Sequence, residues 1–431
     1  MKLLVLGASG FIGSSVAARL AAAGHEVVAG ARRPQAARRL APAYRWVAAE
    51  FARVARAQEW ATMLEGVEAV VNCVGALQDG AGESVSVAHE TGPAAMIAAC
   101  EAAGVRRLIH ISAVGVEDAA GTTYARSKLA TERMVRGSGL VWVILRPSLV
   151  IGRAAYGGTA LMRGLAAFPF AIPVIGGGQR FRPIALDDLA EAVVRLIEPD
   201  APSRVMLEVG GPEPMTLAEV LAALRAWLGL SAAPVIQVPR ALAWPVVRLG
   251  DLLGWLGWPS SLRTTSLRQM DFYVEGDSEG WVAATGVKPA TLGQWCTANP
   301  ATSADRWQAK LYFVRPISVA ALAVFWLLTG LISLGPGYPA ALAILQRGGF
   351  GGWSPLVEQV GSAFDILMGL ALLRRRWTAA VASCMCIATA GYLVVGTLTL
   401  PQLWADPLGP WLKVIPMMAL CLFVAATEDR R

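Results

Sequence analysis

The chain has 431 residues, of which 55% are hydrophobic and 16% are charged, and its net charge is +7. This length predicts more than one folding unit, and a soluble domain would carry nearer a quarter charged residues. Arg and Glu are frequent up to about residue 310 and scarce beyond it, so we expect a soluble part followed by a membrane part. No long basic run, zinc motif or basic helix accompanies the positive charge, which argues against nucleic acid as a partner and favours a membrane surface.

Cysteine spacing indicates neither a disulfide framework nor a metal site, because no CxxC pair occurs. We expect the six cysteines to be small buried side chains in a reducing compartment. They are Cys73, Cys100, Cys296, Cys384, Cys386 and Cys421. The N-terminal apolar stretch leads directly into glycines, without the cleavage site of a signal peptide.

The first elements in chain order predict a nucleotide-binding turn. Residues 2–6 form a short apolar run, typical of a strand that is buried on both faces. Gly7-Ala8-Ser9-Gly10-Phe11-Ile12-Gly13 follows, then an Ala-rich helix to about Ala23, and then a strand at 26–30. Strand, glycine turn, helix and strand form the context in which glycines let a backbone approach a pyrophosphate at a helix N-terminus.

The alternation of strands and helices continues beyond this unit. The pattern predicts strands at 67–74, 107–112 and 140–146, with helices at 92–103 and 123–136. The fold class is therefore α/β, a Rossmann-type doubly wound parallel sheet.

The residues after the second strand indicate the cofactor. A site for NAD usually places Asp or Glu there to bind the ribose 2′-hydroxyl, whereas this chain has Ala31-Arg32-Arg33. Because a guanidinium binds phosphate through a planar set of donors, we expect NADP(H) to be preferred over NAD(H). A solvated surface pair of arginines is the alternative.

Ser112, Tyr124 and Lys128 are the candidate catalytic residues. The spacing of Tyr124 and Lys128 puts both on one face of a helix. Reduction of a carbonyl needs a proton donor near the developing oxyanion, and a nearby cation would lower the pKa of a phenol. Ser112, at the end of a strand, is placed to hydrogen-bond the same oxygen.

These segments together resemble the atypical short-chain dehydrogenases, in particular the branch that includes the accessory Rossmann subunit of respiratory complex I. The resemblance covers residues 1 to about 295 and rests on the glycine turn, Asn72-Cys73-Val74-Gly75, His110-Ile111-Ser112-Ala113, Tyr124-Ala125-Arg126-Ser127-Lys128 and Arg146-Pro147-Ser148. It implies a pyrophosphate held by Gly7, Ser9, Gly10, Phe11, Ile12 and Gly13. It also implies that Gly75 and Ala76 lie along the cofactor, that Lys128 holds the nicotinamide ribose, and that Pro147, Ser148, Leu149 and Val150 lie near the nicotinamide.

Residues 1–150 are thus predicted to form the NAD(P)-binding core and residues 151–300 a substrate region of the same domain. Within that region the segment 240–258 contains Trp244, Trp255 and Trp258 among many Leu and Val. Two interpretations stay open for this segment, a core helix or a stretch that lies on the bilayer surface.

The C-terminal part predicts an all-α four-helix transmembrane bundle. Long apolar runs occupy 312–334, 357–373, 377–400 and 410–426. The segment resembles the DoxX-like membrane domain over 310–428. Asp365 lies in the middle of a span, where a carboxylate is costly and is usually functional or paired.

Two functions follow from the whole pattern, and a third, transport by the four-helix unit, rests on Asp365 alone. The first is a membrane-anchored oxidoreductase of the short-chain dehydrogenase type, which reduces a hydrophobic carbonyl or quinone-like substrate with NADPH. The second is a non-catalytic NADPH-binding protein that assembles or senses a membrane complex. In both, the expected partners are NADPH and the lipid bilayer, and the expected location is a bacterial inner membrane.

The distribution of basic residues predicts the topology. Arg374, Arg375 and Arg376 separate the second span from the third, whereas the loop 401–409 has no Lys or Arg and the loop 335–356 has only Arg347. The positive-inside rule therefore puts the N-terminal domain and the C-terminus in the cytoplasm. Reporter fusions after Gly337 and after Asp406 should both give an external signal, and a cytoplasmic signal at either position would refute this topology.

Overall fold

The computed structural model describes residues 1–54, 57–80, 84–116, 121–258, 261–269 and 275–428. They form two compact units. The N-terminal unit comprises Met1–Gly254 and Pro259–Ala309, and the helical unit comprises Trp255–Trp258 and Lys310–Arg431.

Thirteen strands are described. They are β1 (Lys2–Leu6), β2 (Glu26–Ala31), β3 (Arg45–Ala48), β4 (Ala69–Asn72), β5 (Arg107–Ile111), β6 (Val141–Pro147), β7 (Val150–Ile151), β8 (Ile172–Ile175), β9 (Arg180–Phe181), β10 (Ile184–Ala185), β11 (Val205–Val209), β12 (Met215–Thr216) and β13 (Val235–Val238).

The α-helices of the N-terminal unit are α1 (Phe11–Ala22), α2 (Pro34–Leu40), α3 (Ala61–Leu64), α4 (Gly92–Ala102), α5 (Thr123–Gly137), α6 (Gly157–Ala166), α7 (Leu186–Ile197), α8 (Leu217–Trp227), α9 (Arg240–Trp255), α10 (Thr264–Gln269), α11 (Glu279–Thr285) and α12 (Leu292–Ala298). Those that follow are α13 (Ser303–Leu334), α14 (Tyr338–Arg347), α15 (Ser354–Leu372), α16 (Thr378–Thr399) and α17 (Val414–Thr427).

Seven strands form one parallel sheet in the order β3–β2–β1–β4–β5–β6–β11. The predicted α/β class and doubly wound sheet are confirmed. The chain leaves β1 toward β2 on one side and returns to β4 on the other, so the strand order reverses between β1 and β4. In such sheets a crevice opens beyond the carboxyl ends of the strands at this point, and ligands bind there.

The first strand explains why its sequence is apolar throughout. Leu3 and Val5 pack into the core on one face of the sheet, beside α1 and α7, whereas Leu4 and Leu6 pack into the core on the other face, beside α4. All four side chains are fully buried. A strand covered on both faces cannot alternate apolar and polar residues.

A third core holds the region after β6 together. It joins α6, α8 and α12 with the short β8–β13 pair, and it includes Ala309 from α13. The segment that leads from α12 into α13 is therefore part of the packed N-terminal unit up to Ala309. Asp305 supports this packing because its carboxylate pairs with the buried guanidinium of Arg163 at 3.5 Å and with Arg153 at 3.3 Å.

Among the described residues, three helical segments are long and apolar enough to cross a membrane: Ser303–Leu334, Gly351–Leu372 and Arg375–Thr399. They correspond to the first three predicted spans. The segment of the fourth predicted span, 410–426, contains the apolar helix α17, which has 14 residues, fewer than the about 20 that a full crossing needs.

Pro416 accounts for the late start of this helix. Proline has no N–H to donate to the carbonyl of Leu412, and its ring crowds that carbonyl, so a regular α-helical turn cannot precede it. The chain uses tighter turns there, in which Val414 donates to Trp411 and Ile415 to Leu412, both at 3.3 Å. A further difference is α14, which occupies part of the predicted loop 335–356.

Glu428 connects three segments at one end of the helical unit. Its buried carboxylate accepts hydrogen bonds from Arg315, near the start of the first span, and from Arg375 at 3.1 Å, in the turn between the second and third spans. These three segments therefore lie at the same end of the helical unit. The predicted topology requires this arrangement, because it puts the basic residues that flank the spans on one side of the membrane.

Candidate functional site

The glycine turn after β1 contains three glycines, and two of them, Gly7 and Gly13, occupy positions that disfavour a side chain. Gly7 has a φ of +74°, which side chains disfavour. The N–H of Gly10 donates to the carbonyl of Gly7 at 2.8 Å, which closes the turn. A Cβ on Gly13 would lie 2.2 Å from the same carbonyl oxygen, so only glycine lets α1 pack this closely on the turn.

The N-terminus of α1 fits a phosphate group. Gly10 is the N-cap and provides no side-chain cap, and the first turn contains no acidic residue. The N–H groups of this turn therefore keep their capacity to bind an anion, and the helix dipole favours one. Ser9 is exposed beside them, while the ring of Phe11 is half-buried and stacks on Tyr156 with centroids 6.4 Å apart.

Arg32 and Arg33 follow β2 immediately and are both exposed. Because β2 is the parallel neighbour of β1, the two arginines lie at the same edge of the sheet as the glycine turn. Arg33 is also the N-cap residue of α2. The sequence-predicted phosphate-binding pair is thus placed beside the first glycine turn, with its side chains at the surface.

The loop after β4 approaches the helix that carries the candidate catalytic residues. Asn72 shapes its start, because its side-chain oxygen accepts the N–H of Val74 at 3.1 Å. A Cβ on Gly75 would lie 3.5 Å from Nζ of Lys128 and 3.6 Å from Nε2 of His89. Because Gly75 has no side chain, Lys128 and His89 can pack against the loop at this position.

Lys128 brings a cation into this edge of the sheet. Its side chain is buried, and Nζ donates to the carbonyl of Ile111, the last residue of β5, at 2.9 Å. Burial lowers the pKa of Lys128 to about 8, an effect that Glu132 opposes. At neutral pH the amine therefore still carries its proton, although less firmly than a surface lysine.

Tyr124 lies one helical turn before Lys128 on α5. Its hydroxyl makes no hydrogen bond with any residue that the structure describes, and its ring meets that of His89 edge-on, with centroids 5.8 Å apart. Burial raises the pKa of Tyr124 to about 12. The sequence suggested that Lys128 would lower this pKa, but the loss of hydration outweighs any such effect.

Ser112 differs from the sequence expectation. Its hydroxyl donates to Oε1 of Glu132 at 2.5 Å, and Glu132 also accepts two hydrogen bonds from Arg146, at 2.9 and 2.5 Å. A hydroxyl has a single proton to donate, and the buried carboxylate takes it. Ser112 therefore belongs to a buried Ser–Glu–Arg group and does not offer its proton to the Tyr124 side of the site.

The segment after β6 is fixed by its backbone. Pro147 accepts the N–H of Val114 at 3.2 Å, and Ser148 donates to the carbonyl of Val209 at 3.1 Å. The hydroxyl of Ser148 accepts the N–H of Arg182 at 3.3 Å. Leu149 and Val150 continue into the β7–β10 pair, so the predicted residues Pro147 to Val150 lie beyond the carboxyl end of β6.

His89 is a site residue that the sequence analysis missed. Its Nε2 accepts the N–H of Ala76 at 3.1 Å, so in the neutral ring the proton must be on Nδ1, which lies 2.8 Å from Oγ of Ser127. The Ser127 hydroxyl in turn donates to the carbonyl of Tyr124 at 2.9 Å. This chain of three hydrogen bonds joins the loop after β4 to the first turn of α5.

The tautomer of His89 is held by its surroundings. Burial and the nearby charge of Lys128 lower its pKa to about 3, and the same causes hold the pKa of His110 well below its usual range. Both rings therefore stay neutral at physiological pH. The sequence offered one signal for His89, the small number of histidines. The chain has only three, and two of them lie at this edge of the sheet.

Comparison with known proteins agrees with this geometry. Residues 7–198 match a family described as NAD(P)H-binding, and residues 323–422 match the DoxX-like family. Over 138 residues the chain is 29% identical to the mitochondrial NADH dehydrogenase (ubiquinone) 1 alpha subcomplex subunit 9 of Arabidopsis thaliana. This match covers 31% of the chain and 34% of that relative, about a third of its length.

Solved structures resemble the N-terminal part in fold. The NADPH-dependent quinone oxidoreductase QOR2 of Escherichia coli, complexed with NADPH, superposes with a TM-score of 0.54 and 21% identity, over 69% of this chain and 99% of that one. The UDP-glucuronic acid 4-epimerase of Bacillus cereus, in complex with NAD, gives a TM-score of 0.53 and 16% identity, over 72% of this chain and 100% of the epimerase.

The N-terminal unit is therefore an NAD(P)H-binding domain of the Rossmann type. The chain joins this domain to a C-terminal DoxX-like domain. Among the described residues, three helical segments are long and apolar enough to span a membrane. The predicted combination of an NAD(P)-binding Rossmann-type domain with a DoxX-like domain is confirmed.

His89→Ala should weaken NADPH binding, because the Ala76 N–H loses its acceptor and the loop loses its connection to α5. The loss of one such hydrogen bond corresponds to about a tenfold higher Kd in a fluorescence titration. His89→Gln keeps an acceptor and a donor and should recover most of the affinity, which a merely space-filling role would not predict.

His25→Ala serves as the control. This histidine precedes β2, at the amino end of the sheet, and should leave the Kd for NADPH unchanged. An equal loss of affinity in His25→Ala and His89→Ala would show that the effect of His89 is one of general stability.

Proposed function

We propose that the chain is a membrane-anchored, NADPH-dependent oxidoreductase of the short-chain dehydrogenase type, which reduces a hydrophobic carbonyl or quinone-like substrate. One observation carries this proposal. A neutral phenol, Tyr124, and a buried ammonium, Lys128, stand one helical turn apart on α5, at the carboxyl edge of the sheet where the strand order reverses.

The residues present fit the cofactor. Gly7, Gly10 and Gly13 with the N-terminus of α1 would hold the pyrophosphate, and Gly75 with Ala76 would lie along the nucleotide. Lys128 would hold the nicotinamide ribose, and the segment from Pro147 to Val150 would lie near the nicotinamide. When bound, NADPH supplies the hydride, and the protein supplies position, proton and electrostatic field.

Tyr124 donates the proton to the substrate oxygen. A phenol with a pKa of about 12 carries its proton throughout the physiological range, so the proton is present for transfer, although the group is a weaker acid than a free tyrosine. Lys128 stabilises the tyrosinate that forms, since opposite charges attract strongly in a water-poor site. Ser112 does not donate to the substrate oxygen, because its hydroxyl donates to Glu132 instead.

The cofactor preference rests on Arg32 and Arg33. We infer that the pair binds the 2′-phosphate of NADPH, since no acidic residue follows β2 at this position. The proposed location is the inner membrane of a bacterium, with the N-terminal domain in the cytoplasm, where NADPH is available. This orientation rests on the basic residues that flank the spans.

The double variant Arg32→Ala/Arg33→Ala should bind NADPH more weakly by about 1.5–3 kcal/mol, roughly ten- to a hundredfold in Kd, because charge-assisted hydrogen bonds are lost. Its affinity for NADH should not change. The matched control is Arg38→Ala/Arg39→Ala, another exposed arginine pair on α2, which should bind both nucleotides like the wild type. Equal wild-type affinities for NADH and NADPH would rule out the preference.

A second function has its own support. The curated relative is named as a subunit of a respiratory enzyme, and the Ser112 hydroxyl is turned away from the substrate side. A non-catalytic NADPH-binding protein that assembles or senses a membrane complex fits both facts. The unengaged phenol of Tyr124 favours the enzyme.

Tyr124→Phe separates the two functions. The change removes only the hydroxyl and keeps the ring contact with His89, so NADPH affinity should stay within about twofold of the wild type. Turnover of a benzoquinone or long-chain quinone should fall by about 10²- to 10⁴-fold, the usual contribution of a placed acid.

Tyr44→Phe is the control for this experiment. Tyr44 packs beside Trp46 near β3, away from the candidate catalytic residues, and the variant should turn over quinone normally. If Tyr124→Phe leaves both turnover and cellular phenotype unchanged, the oxidoreductase proposal fails and the non-catalytic function replaces it.

A further inference from the structure

Helix α9 has one exposed apolar face and one buried face. Leu242, Val246, Leu249, Leu252 and Trp255 recur every three or four residues, and each is between 52% and 68% exposed. This spacing puts them on one stripe of the helix. The opposite stripe, formed by Ala243, Val247, Gly250 and Gly254, is buried.

A stripe of this kind is unusual on a water-exposed surface. Single apolar side chains are normal there, but a contiguous row of five large ones marks a surface that something covers. No acidic residue interrupts the row, since the only acid of the helix, Asp251, is turned to the other side.

Cationic groups flank the apolar stripe. The guanidinium groups of Arg248 and Arg268 lie over the ring of Trp244, at 5.2 and 5.8 Å from its centroid. Both arginines are exposed. Tryptophan and arginine beside an apolar face are typical of helices that lie in a lipid headgroup layer, where the arginines meet anionic lipid.

The end of α9 identifies the surface that covers the stripe. Its last residue, Trp255, and the next three residues belong to the helical unit. There Nε1 of Trp258 donates to the carbonyl of Leu373, directly after α15, at 2.7 Å. Leu373 is followed by Arg374, so Trp258, three residues beyond the end of α9, lies beside the charged turn between two spans.

We propose that α9 is an in-plane membrane helix, with its stripe from Leu242 to Trp255 inserted at the acyl boundary of an anionic bilayer. Trp244, Arg248 and Arg268 then lie among the phosphates. The covering partner is lipid because the helix is continuous with the segment that packs on the membrane helices, and because the charge beside the stripe is positive.

The buried side of the same helix contacts the loop that follows Gly75. Asp251 accepts a hydrogen bond from Gln78 at 2.9 Å and one from the Thr264 hydroxyl at 2.8 Å, and Arg263 donates to the carbonyl of Asp79 at 3.2 Å. One helix thus contacts lipid on one side and the nucleotide-binding loop on the other. If the proposed function holds, a substrate dissolved in the bilayer reaches the site along α9.

Photo-crosslinking of the full chain tests the position of α9 without requiring activity. p-Benzoylphenylalanine is introduced at Leu249 or Leu252, and the protein is reconstituted in vesicles of phosphatidylethanolamine and phosphatidylglycerol. Irradiation should give lipid adducts, detected by intact-mass spectrometry, at a yield about tenfold above that at Ala222, an exposed position on α8. Adduct yields at 249 and 252 no higher than at 222 would overturn the proposal.

A charge-insertion variant adds a functional readout. Leu249→Glu/Leu252→Glu should reduce turnover of a long-chain quinone in these vesicles about tenfold, while a soluble benzoquinone is reduced at the wild-type rate, because charge in the stripe disfavours insertion. Ala222→Glu is the matched control and should change neither rate. Equal loss with both quinones would contradict entry along α9.

The two readouts fail independently. If the wild type reduces neither quinone, the proposed function fails, and the lipid adducts still decide whether α9 lies in the membrane. If adducts form at 249 and 252 while the charged variant keeps its long-chain turnover, α9 contacts lipid but does not guide the substrate.

Discussion

Lys128 carries its ammonium group into the interior of the N-terminal unit, where only 4% of the residue is exposed, and donates to the carbonyl of Ile111. A buried cation is costly unless its surroundings accept its hydrogen bonds and contain no second unpaired positive charge. The surroundings meet this condition. His89 and His110 stay neutral, partly because of this charge, and Gly75 leaves space beside Nζ.

The protonation state of His89 is what lets it connect two segments. A charged imidazole would have two N–H donors and no acceptor for the N–H of Ala76. Because Lys128 helps to keep the ring neutral, Nε2 accepts that N–H and Nδ1 donates to Ser127. The connection between the loop after β4 and α5 thus depends on a neutral His89, which burial keeps unprotonated with a smaller contribution from the charge of Lys128.

Glu132 lies on the same face of the helix as Lys128 and acts on the same charge. It follows Lys128 by one turn, is almost fully buried, and raises the pKa of Lys128 against the effect of burial. Two hydrogen bonds from Arg146 and one from Ser112 satisfy its oxygens.

The sequence indicated Ser112 from its place at the end of a strand, but it did not indicate which group would accept the hydrogen bond from its hydroxyl. The strands, glycine turn and α5 were predictable because hydrophobic period and backbone strain are local properties. The partner of Ser112 and the role of His89 depend on contacts between distant segments, which no local pattern encodes.

The boundary between the N-terminal unit and the helical unit also depends on contacts between distant segments. The sequence predicted an apolar run only from residue 312, yet the backbone is helical from Ser303 to Leu334 without a break. The first turns are polar because Asp305 binds Arg163 and caps its own helix through Thr302, whereas Ala309 fills the core of the N-terminal unit. A cut at about residue 305 would therefore remove part of that core along with the membrane helices. A loss of activity after such a truncation could not be assigned to the membrane alone, whereas substitutions on the exposed face of α9 leave both cores intact.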